Sequence, residues 1–255
     1  KMKSLKLLPS VDRLLSGAFA AVRRFPLTLL CAVIGSIVAV ALVEHQGSDK
    51  PHELVNLLAA SALGLPLFIA MTLVGEKRNW SIRTRLIVQG IGVVALVFYY
   101  FSLPPDLFAP HYHAIRFLLL NLGLPFLVAF APYIGNAQEQ GFWQYNKSLL
   151  LGFMTAAFYS AALYVGFAVA LAAADYLFGF DVKGDTYAEL WMLMAGIVNT
   201  WIFLALVPKN LNALETSEEY PNGLKIFSQY VLLPLVGLYF VILIAYEAKI
   251  IVGWN

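Results

Sequence analysis

Residues 25–43 of the chain read FPLTLLCAVIGSIVAVALV, a run that contains no charged side chain. A bilayer core about 30 Å thick needs roughly 20 apolar residues of helix to cross it, and this run has nearly that length. Its apolar residues would cover every face of a helix, whereas the strands of a membrane barrel alternate between apolar and polar positions. The run therefore predicts a helix that spans a membrane.

The composition of the whole chain indicates the same class of protein. Of its 255 residues, 60% are hydrophobic and 13% are charged, and the mean hydropathy is +0.75. A soluble domain is about 45–50% apolar and about 25% charged, so this chain has too little polar surface to cover itself in water. A water-soluble enzyme, a disordered chain and a nucleic-acid-binding domain are excluded on this ground. The single cysteine, Cys31, excludes a disulfide framework.

Further apolar runs follow the first, each bounded by charges, prolines or glycines. We predict an all-α, polytopic transmembrane helical bundle of about seven spans, at residues 25–43, 54–74, 86–103, 117–134, 149–173, 190–207 and 231–251. With the N-terminus in the cytoplasm, 13 of the 17 lysines and arginines lie on the cytoplasmic side. Because cytoplasmic segments carry an excess of these residues, we predict that orientation.

The first 24 residues form a separate segment in this prediction. Val11, Leu14, Ala18 and Val22 recur at helical spacing, which indicates an amphipathic helix on the cytoplasmic leaflet with its arginines near anionic headgroups. Pro26 suits the first turn of a new helix. We therefore divide the chain into an interfacial segment, 1–24, and a transmembrane domain, 25–255. The alternative is that this segment merely extends the first span.

An internal repeat links the first four spans. Seven residues recur exactly 59 positions later: Pro51, His52, Leu63, Gly64, Leu65, Pro66 and Ala70 match Pro110, His111, Leu122, Gly123, Leu124, Pro125 and Ala129. The pattern predicts a parallel repeat of residues 25–80 and 86–143. Pro66 and Pro125 should each kink a helix at a point facing away from lipid, because a proline frees a backbone carbonyl. Paired broken helices are typical of transporter binding sites. The alternative is that the two kinks pack together through Gly64 and Gly123.

Polar side chains inside the predicted spans are the other candidate functional positions. Gln89, Asn121 and Asn199 are uncharged, and they could either join helices by hydrogen bonds or line a substrate path. Glu247 and Lys249 fall in the last turn of the seventh span. They could reach the interface by snorkelling or could pair with a ligand.

A metal site is a weak hypothesis for this sequence. His111 and His113 flank Tyr112, with Asp106 nearby, and two imidazoles with a carboxylate can hold zinc or copper. The spacing is unspecific, however, so we favour an interfacial loop. No nucleophile with a matching base and no phosphate-binding glycine loop is present. We expect no catalytic residue, no metal and no cofactor.

Four strings point to one known family: RFPLT at residues 24–28, FWQYNK at 142–147, VP at 207–208 and YPNGLKIFSQYVLLPL at 220–235. Together they resemble the bacterial multi-pass membrane family catalogued as domain of unknown function 4153. The resemblance implies a bacterial inner-membrane protein and implies no activity, substrate or catalytic residue. Members are usually more than twice this length, so the chain is either a short member or an N-terminal part.

Three functions are compatible with these observations. The first is a non-enzymatic scaffold or accessory subunit of a membrane complex, with the lipid bilayer and a membrane protein as partners and no nucleic acid. The second is a transporter or channel for a small solute that uses the kinked helices. Against it, no predicted span carries a charged residue near its middle, and ion coupling usually needs one. The third is an enzyme of lipid or cell-envelope precursors with its site outside this chain.

Overall fold

The computed structural model describes residues 20–45, 51–104, 111–135, 138–179 and 181–216, together with five single positions near the C-terminal end. Within these residues the chain is helical. The helices are α1 (Pro26–Glu44), α2 (His52–Lys77), α3 (Ile82–Ser102), α4 (His111–Phe130), α5 (Glu139–Phe178), α6 (Gly184–Leu193) and α7 (Asn199–Leu206). A π-helical segment, Met194–Val198, joins α6 to α7, and 3₁₀ turns occupy Ala131–Tyr133 and Ala213–Thr216.

Six helical stretches in the described residues are long and apolar enough to cross a membrane. They are Pro26–Glu44, His52–Lys77, Ile82–Ser102, Tyr112–Tyr133, Glu139–Tyr176 and Gly184–Leu206. The prediction of helices long and apolar enough to span a membrane at these six places is confirmed. The predicted seventh span, 231–251, lies largely outside the described residues. Gly237, Phe240, Ile244, Glu247 and Ile251 in it are helical and exposed, and they belong to a second unit, residues 1–10 and 217–255, separate from residues 11–216.

Five of the six spans begin earlier than the hydropathy of the sequence indicates, among them the fifth and the sixth. α5 begins at Glu139 rather than at residue 149, because the FWQYNK string is itself helical and buries Tyr145, whose hydroxyl donates to the carbonyl of Val128 at 2.7 Å. The sixth span begins at Gly184 rather than at residue 190 and contains the π segment, in which the amide of Asn199 donates to the carbonyl of Met194. Polar residues can continue a membrane helix beyond its apolar core, so hydropathy alone underestimates its length.

The junction between the N-terminal segment and the first span lies partly within the described residues. Residues 20–24 form a helical turn, and the amide of Phe25 donates to the carbonyl of Ala21 at 2.8 Å. Pro26 then begins α1, as predicted, where its missing N–H is not needed. The rest of the predicted interfacial helix, residues 1–19, lies outside the described residues.

The unit is built around α2. In its most apolar window 56% of residues are buried, against 11% for α3, and α2 packs against α1, α3 and α4. α1 also packs against α6 and the π segment, while α5 packs against α7. Small residues allow α1 to lie close to α2. Gly35 of α1, for example, faces Ser61 of α2. Such contacts are typical of membrane helices, where small side chains let backbones come together.

Candidate functional site

A cluster of polar side chains ties together the ends of five of the six spans at one end of the unit. It contains Arg24, Glu76, Lys77, Tyr133, Gln138 and Glu215, which we call the polar cluster. Arg24 precedes the first span and Gln138 precedes the fifth. The other four lie at the ends of the second, fourth and sixth spans or just after them, as an up-and-down chain requires. Four of the charges that the sequence places outside the apolar cores of the spans are therefore part of one set of contacts.

Arg24 is the centre of the polar cluster. Its Nε donates to Glu76 Oε1 at 2.8 Å and its Nη2 donates to Glu76 Oε2 at 2.6 Å, so both carboxylate oxygens are occupied. The same guanidinium donates from Nη1 to the carbonyl of Val207 at 2.9 Å and from Nη2 to that of Pro208 at 2.7 Å. The side chains of Arg24 and Glu76 are only 14% and 20% exposed. This geometry corrects the expectation that Arg24 faces lipid headgroups, because its donors are used inside the protein.

Lys77, the next residue on α2, holds a second set of contacts. Its Nζ donates to Gln138 Oε1 at 2.6 Å and to the carbonyl of Leu211 at 3.2 Å. The ammonium also lies 4.4 Å from the centre of the Tyr133 ring, within the range of a cation–π contact. The Tyr133 hydroxyl donates to the same carbonyl of Leu211 at 3.1 Å. Lys77 therefore binds the segment after the sixth span to the end of the fourth.

The segment that follows α7 is held at both ends by these contacts. Arg24 fixes the carbonyls of residues 207 and 208, while Lys77 and Tyr133 fix that of Leu211. Further along, Glu215 Oε2 accepts from the amide of Gly141 in the first turn of α5 at 2.6 Å. A carboxylate at this place is favoured by the partial positive charge of the helix start. The connection therefore has a defined shape although it lacks long regular structure.

A polar cavity of about 250 Å³ opens beside the polar cluster, between the α2–α3 turn and the segment after α7. We call it the basic cavity. Its lining consists of Glu76, Asn79, Arg85, Lys209, Asn210, Leu211 and Asn212. Since Glu76 is neutralised by Arg24, the charges that remain free to act in the cavity are those of Arg85 and Lys209.

A second cavity, of about 240 Å³, lies between α1, α2, α6 and the π segment. Its lining is mostly apolar and includes Ser36, Ser61, Ala62 and Gly196. The Ser36 hydroxyl is buried and has no hydrogen-bond partner among the described residues. The carbonyl of Ala62 is the one that loses its helical partner because Pro66 has no N–H. Ala62 itself lines this cavity, and the expectation that protein or water satisfies its carbonyl stays a prediction.

The second proline of the repeat lies in a different environment. Pro66 is half-buried, whereas Pro125 is exposed, and both helices continue through their prolines. The described residues do not cover Pro125, so the expectation that this kink faces away from lipid stays a prediction. The two glycines of the repeat also differ. A Cβ on Gly64 would lie 2.6 Å from Cys31 Sγ, while a Cβ on Gly123 would meet nothing within 4 Å. Gly64 therefore faces α1 and α3, and the alternative that the two kinks pack against each other through Gly64 and Gly123 is not seen among the described residues.

The three uncharged polar candidates occupy separate places. Gln89 of α3 donates from Nε2 to Thr72 Oγ1 of α2 at 3.4 Å. Asn121 is half-buried in α4. Asn199 is half-buried at the end of the π segment, and its Oδ1 has no partner among the described residues. The structure does not bring the three side chains into one described cavity, and Gln89 makes the interhelical bond that was one of its two predicted roles.

Replacing Gln89 by leucine should lower the free energy of unfolding by no more than about 1 kcal/mol, because interhelical hydrogen bonds in membranes average about 0.6 kcal/mol and this one is long. Unfolding of the purified protein in mixed micelles, with circular dichroism as the signal, measures the change. Thr72→Val removes the acceptor of the same hydrogen bond. The double variant should therefore lose little more free energy of unfolding than Gln89→Leu alone. A loss beyond about 2 kcal/mol would contradict this role.

The remaining predicted positions add little to the site. Among the described residues no three His, Cys, Asp or Glu side chains come close enough to hold a metal ion. The His111 side chain lies outside the described residues, and His113 Nδ1 is buried without a partner among them. Glu247 is exposed in the second unit, and Lys249 lies outside the described residues.

Sequence reasoning missed the importance of Arg24, Glu76 and Lys77, which served there only as charges that mark a membrane surface. One signal was available. Glu76 is an acidic residue directly before Lys77 and Arg78 at the end of an apolar run, a place where positive charge dominates. A carboxylate at the end of an apolar run is stabilised by a cation that can reach it. Arg24, just before the first span, was a candidate for that cation to Glu76.

These observations define a polytopic helical membrane protein whose spans are joined at one end by buried charges. A family model described as domain of unknown function (DUF4153) matches residues 29–255, and the chain belongs to that family. No curated protein and no solved structure matches the chain. Because the family description names no activity, the function is argued from the contacts above.

Proposed function

We propose that the protein is a non-enzymatic scaffold or accessory subunit of a membrane complex, and that it binds a membrane protein partner through α4. The observation that carries this proposal is the exposure of Pro125 together with Gly123 on that helix. The resemblance to bacterial inner-membrane proteins and the distribution of lysine and arginine support placement in the bacterial inner membrane with the N-terminus in the cytoplasm.

The backbone around Pro125 explains why a protein partner is needed. A proline leaves the carbonyl four residues earlier, that of Asn121, without its helical donor. Hydrocarbon offers no donor, so an unpaired carbonyl at this depth costs several kcal/mol unless protein or water covers it. Gly123 lies two residues before Pro125 and one turn before Phe126, and it leaves the helix surface flat there. Flat glycine surfaces are typical of helix–helix contacts in membranes. A partner on α4 could pack against Gly123 and supply a donor for the carbonyl of Asn121.

Photo-crosslinking in the native membrane tests the proposal. A photoreactive amino acid replaces Phe126, whose residue is 67% exposed on α4, and a matched control replaces Phe98, 74% exposed on α3. The α3 span contains no proline. We expect the α4 probe to form a discrete adduct with one other polypeptide, while the α3 probe labels lipid.

Two results would overturn the proposal. In the first, both probes label only lipid, so that α4 is an ordinary lipid-facing helix. In the second, the α4 probe crosslinks only to residues 217–255 of the same chain, so that the exposed face is covered internally. Native mass spectrometry of the gently purified protein, against 28.2 kDa for this chain, provides an independent measurement of a bound polypeptide.

A second candidate function, transport or binding of a small apolar solute, is favoured by the cavity beside Ser36. Its lining includes Leu65, next to the proline of α2, and Ala62. A unit that transported a solute through this cavity would lose activity in Ala62→Phe, which fills the space, whereas a scaffold would retain its partner. The third hypothesis, an enzyme whose site lies outside these residues, stays a prediction.

A further inference from the structure

We propose that the basic cavity binds a phosphate group, carried either by an anionic lipid headgroup or by a free phosphate compound. This proposal does not depend on the protein partner, since the cavity lies at the span ends and not on the exposed face of α4. Three features of the lining support it: the position of Arg85, the fixed shape of the opposite wall, and the charge balance.

Arg85 is held so that its terminal nitrogens remain available. Its Nε donates to the carbonyl of Trp80 at 3.1 Å. Its methylene stem packs against Gly75, where a Cβ would lie 3.3 Å from Arg85 Cγ, so a larger residue there would displace the stem. The turn that precedes α3 is closed by the amide of Trp80, which donates to the carbonyl of Gly75 at 2.9 Å. The guanidinium is therefore placed at the cavity by its own stem and by a tight turn.

The wall opposite Arg85 is fixed by the polar cluster. Lys209 and Asn210 lie between the carbonyls bound by Arg24 and the carbonyl of Leu211 bound by Lys77. Asn210 Oδ1 accepts from the amides of residues 212 and 213 at 3.1 and 3.2 Å. Because its oxygen is used in this way, the part of the Asn210 amide that remains is its NH₂ group, a donor.

The charge balance of the lining favours an anion. Both oxygens of Glu76 accept from Arg24, so its negative charge is compensated within the protein. Arg85 and Lys209 then contribute positive charge, and Asn79, Asn210 and Asn212 contribute amide groups. Phosphate oxygens accept several donors at once, and charge-assisted bonds to them are the strong ones. Basic pockets between helix ends at a membrane surface are suited to phosphate headgroups.

Native mass spectrometry of the delipidated full chain provides the test. The protein is titrated with short-chain phosphatidylglycerol, with phosphatidylcholine of the same chain length, and with phosphatidylglycerol in the presence of inorganic phosphate. We expect one phosphatidylglycerol to bind with higher affinity than phosphatidylcholine. Arg85→Gln and Lys209→Gln should each weaken this binding on the order of 10-fold, which corresponds to about 1.4 kcal/mol.

Arg83→Gln is the matched control, because Arg83 is an exposed arginine on the same turn of α3 and does not line the cavity. It should leave the affinity unchanged. Lys209 is exposed and makes no hydrogen bond or ion pair among the described residues, so Lys209→Gln is informative even where Arg85→Gln impairs folding. Competition by inorganic phosphate would identify a free phosphate compound as a ligand, and its failure to compete would identify the lipid headgroup.

Two results would overturn the proposal. In the first, Arg83→Gln and Lys209→Gln lose the same affinity for phosphatidylglycerol. In the second, no variant loses affinity.

Discussion

Replacing Glu76 by alanine should lower the free energy of unfolding by about 3 kcal/mol, since removal of one partner from a buried ion pair costs about 3–5 kcal/mol. Arg24 would then keep its charge at a largely buried place with only the carbonyls of Val207 and Pro208 as acceptors. Unfolding of the purified protein in mixed micelles measures the loss, and the protein should also elute as a broader species after mild heating.

The control for this variant lies on the same helix. Glu53 is an acidic residue in the first turn of α2, its side chain is 60% exposed, and its contact with His52 is an exposed one at 3.3 Å. Glu53→Ala should therefore cost less than about 0.5 kcal/mol, as surface pairs usually do. Arg24→Ala should cost nearly as much as Glu76→Ala, and the double variant should cost clearly less than the sum. Equal small losses for both glutamates would show that the polar cluster does not stabilise the unit.

The places of the spans could be predicted from the sequence because the bilayer imposes a length and a hydropathy on each one. The contacts between span ends could not, because they join residues far apart in the chain. Arg24 and Glu76 are separated by 52 positions, and Lys77 reaches a carbonyl 134 positions away. A carbonyl acceptor carries no signal in the sequence, so the four hydrogen bonds of the polar cluster that end on backbone carbonyls could not be predicted before the helices were placed.

The two prolines show the same difference between what a local sequence predicts and what depends on packing with distant residues. Pro66 and Pro125 could be placed within helices from the sequence alone, since both lie inside long apolar runs. Which side of each helix is covered depends on packing. α2 is surrounded by three helices, whereas α4 packs against α2 and leaves Pro125 exposed. The basic cavity was missed because its two cations, Arg85 and Lys209, come from segments that only the fold brings together.

Replacing Gly64 by valine should lower the free energy of unfolding by about 2–3 kcal/mol, the usual cost of overfilling a packed core. A Cβ at this position would lie 2.6 Å from Cys31 Sγ and 3.0 Å from Leu96 Cδ1, so α1 and α2 would have to separate. Unfolding in the same mixed micelles measures the effect. A smaller substitution, Gly64→Ala, allows a check in combination with Cys31→Ala. Cys31→Ala removes the sulfur, and the nearest atom of residue 31 is then its Cβ, 3.4 Å from the new Cβ at residue 64. The double variant should regain most of the stability that Gly64→Ala alone loses.

The repeat supplies an unusually close control for this prediction. Gly123 stands in the same LGLP context, so Gly123→Val carries the same change in helix propensity beside the same proline. A side chain there would meet nothing within 4 Å among the described residues, and the isolated protein should keep its stability to within about 0.5 kcal/mol. In the native membrane, however, valine would disturb the flat face of α4 and should reduce the crosslink formed at residue 126. Equal destabilisation by the two valines would mean that Gly123 is also packed within the chain, and the exposed face would then no longer support a partner. A loss of stability at residue 64 with a loss of crosslinking at residue 123 would show that one sequence motif serves internal packing in its first copy and association in its second.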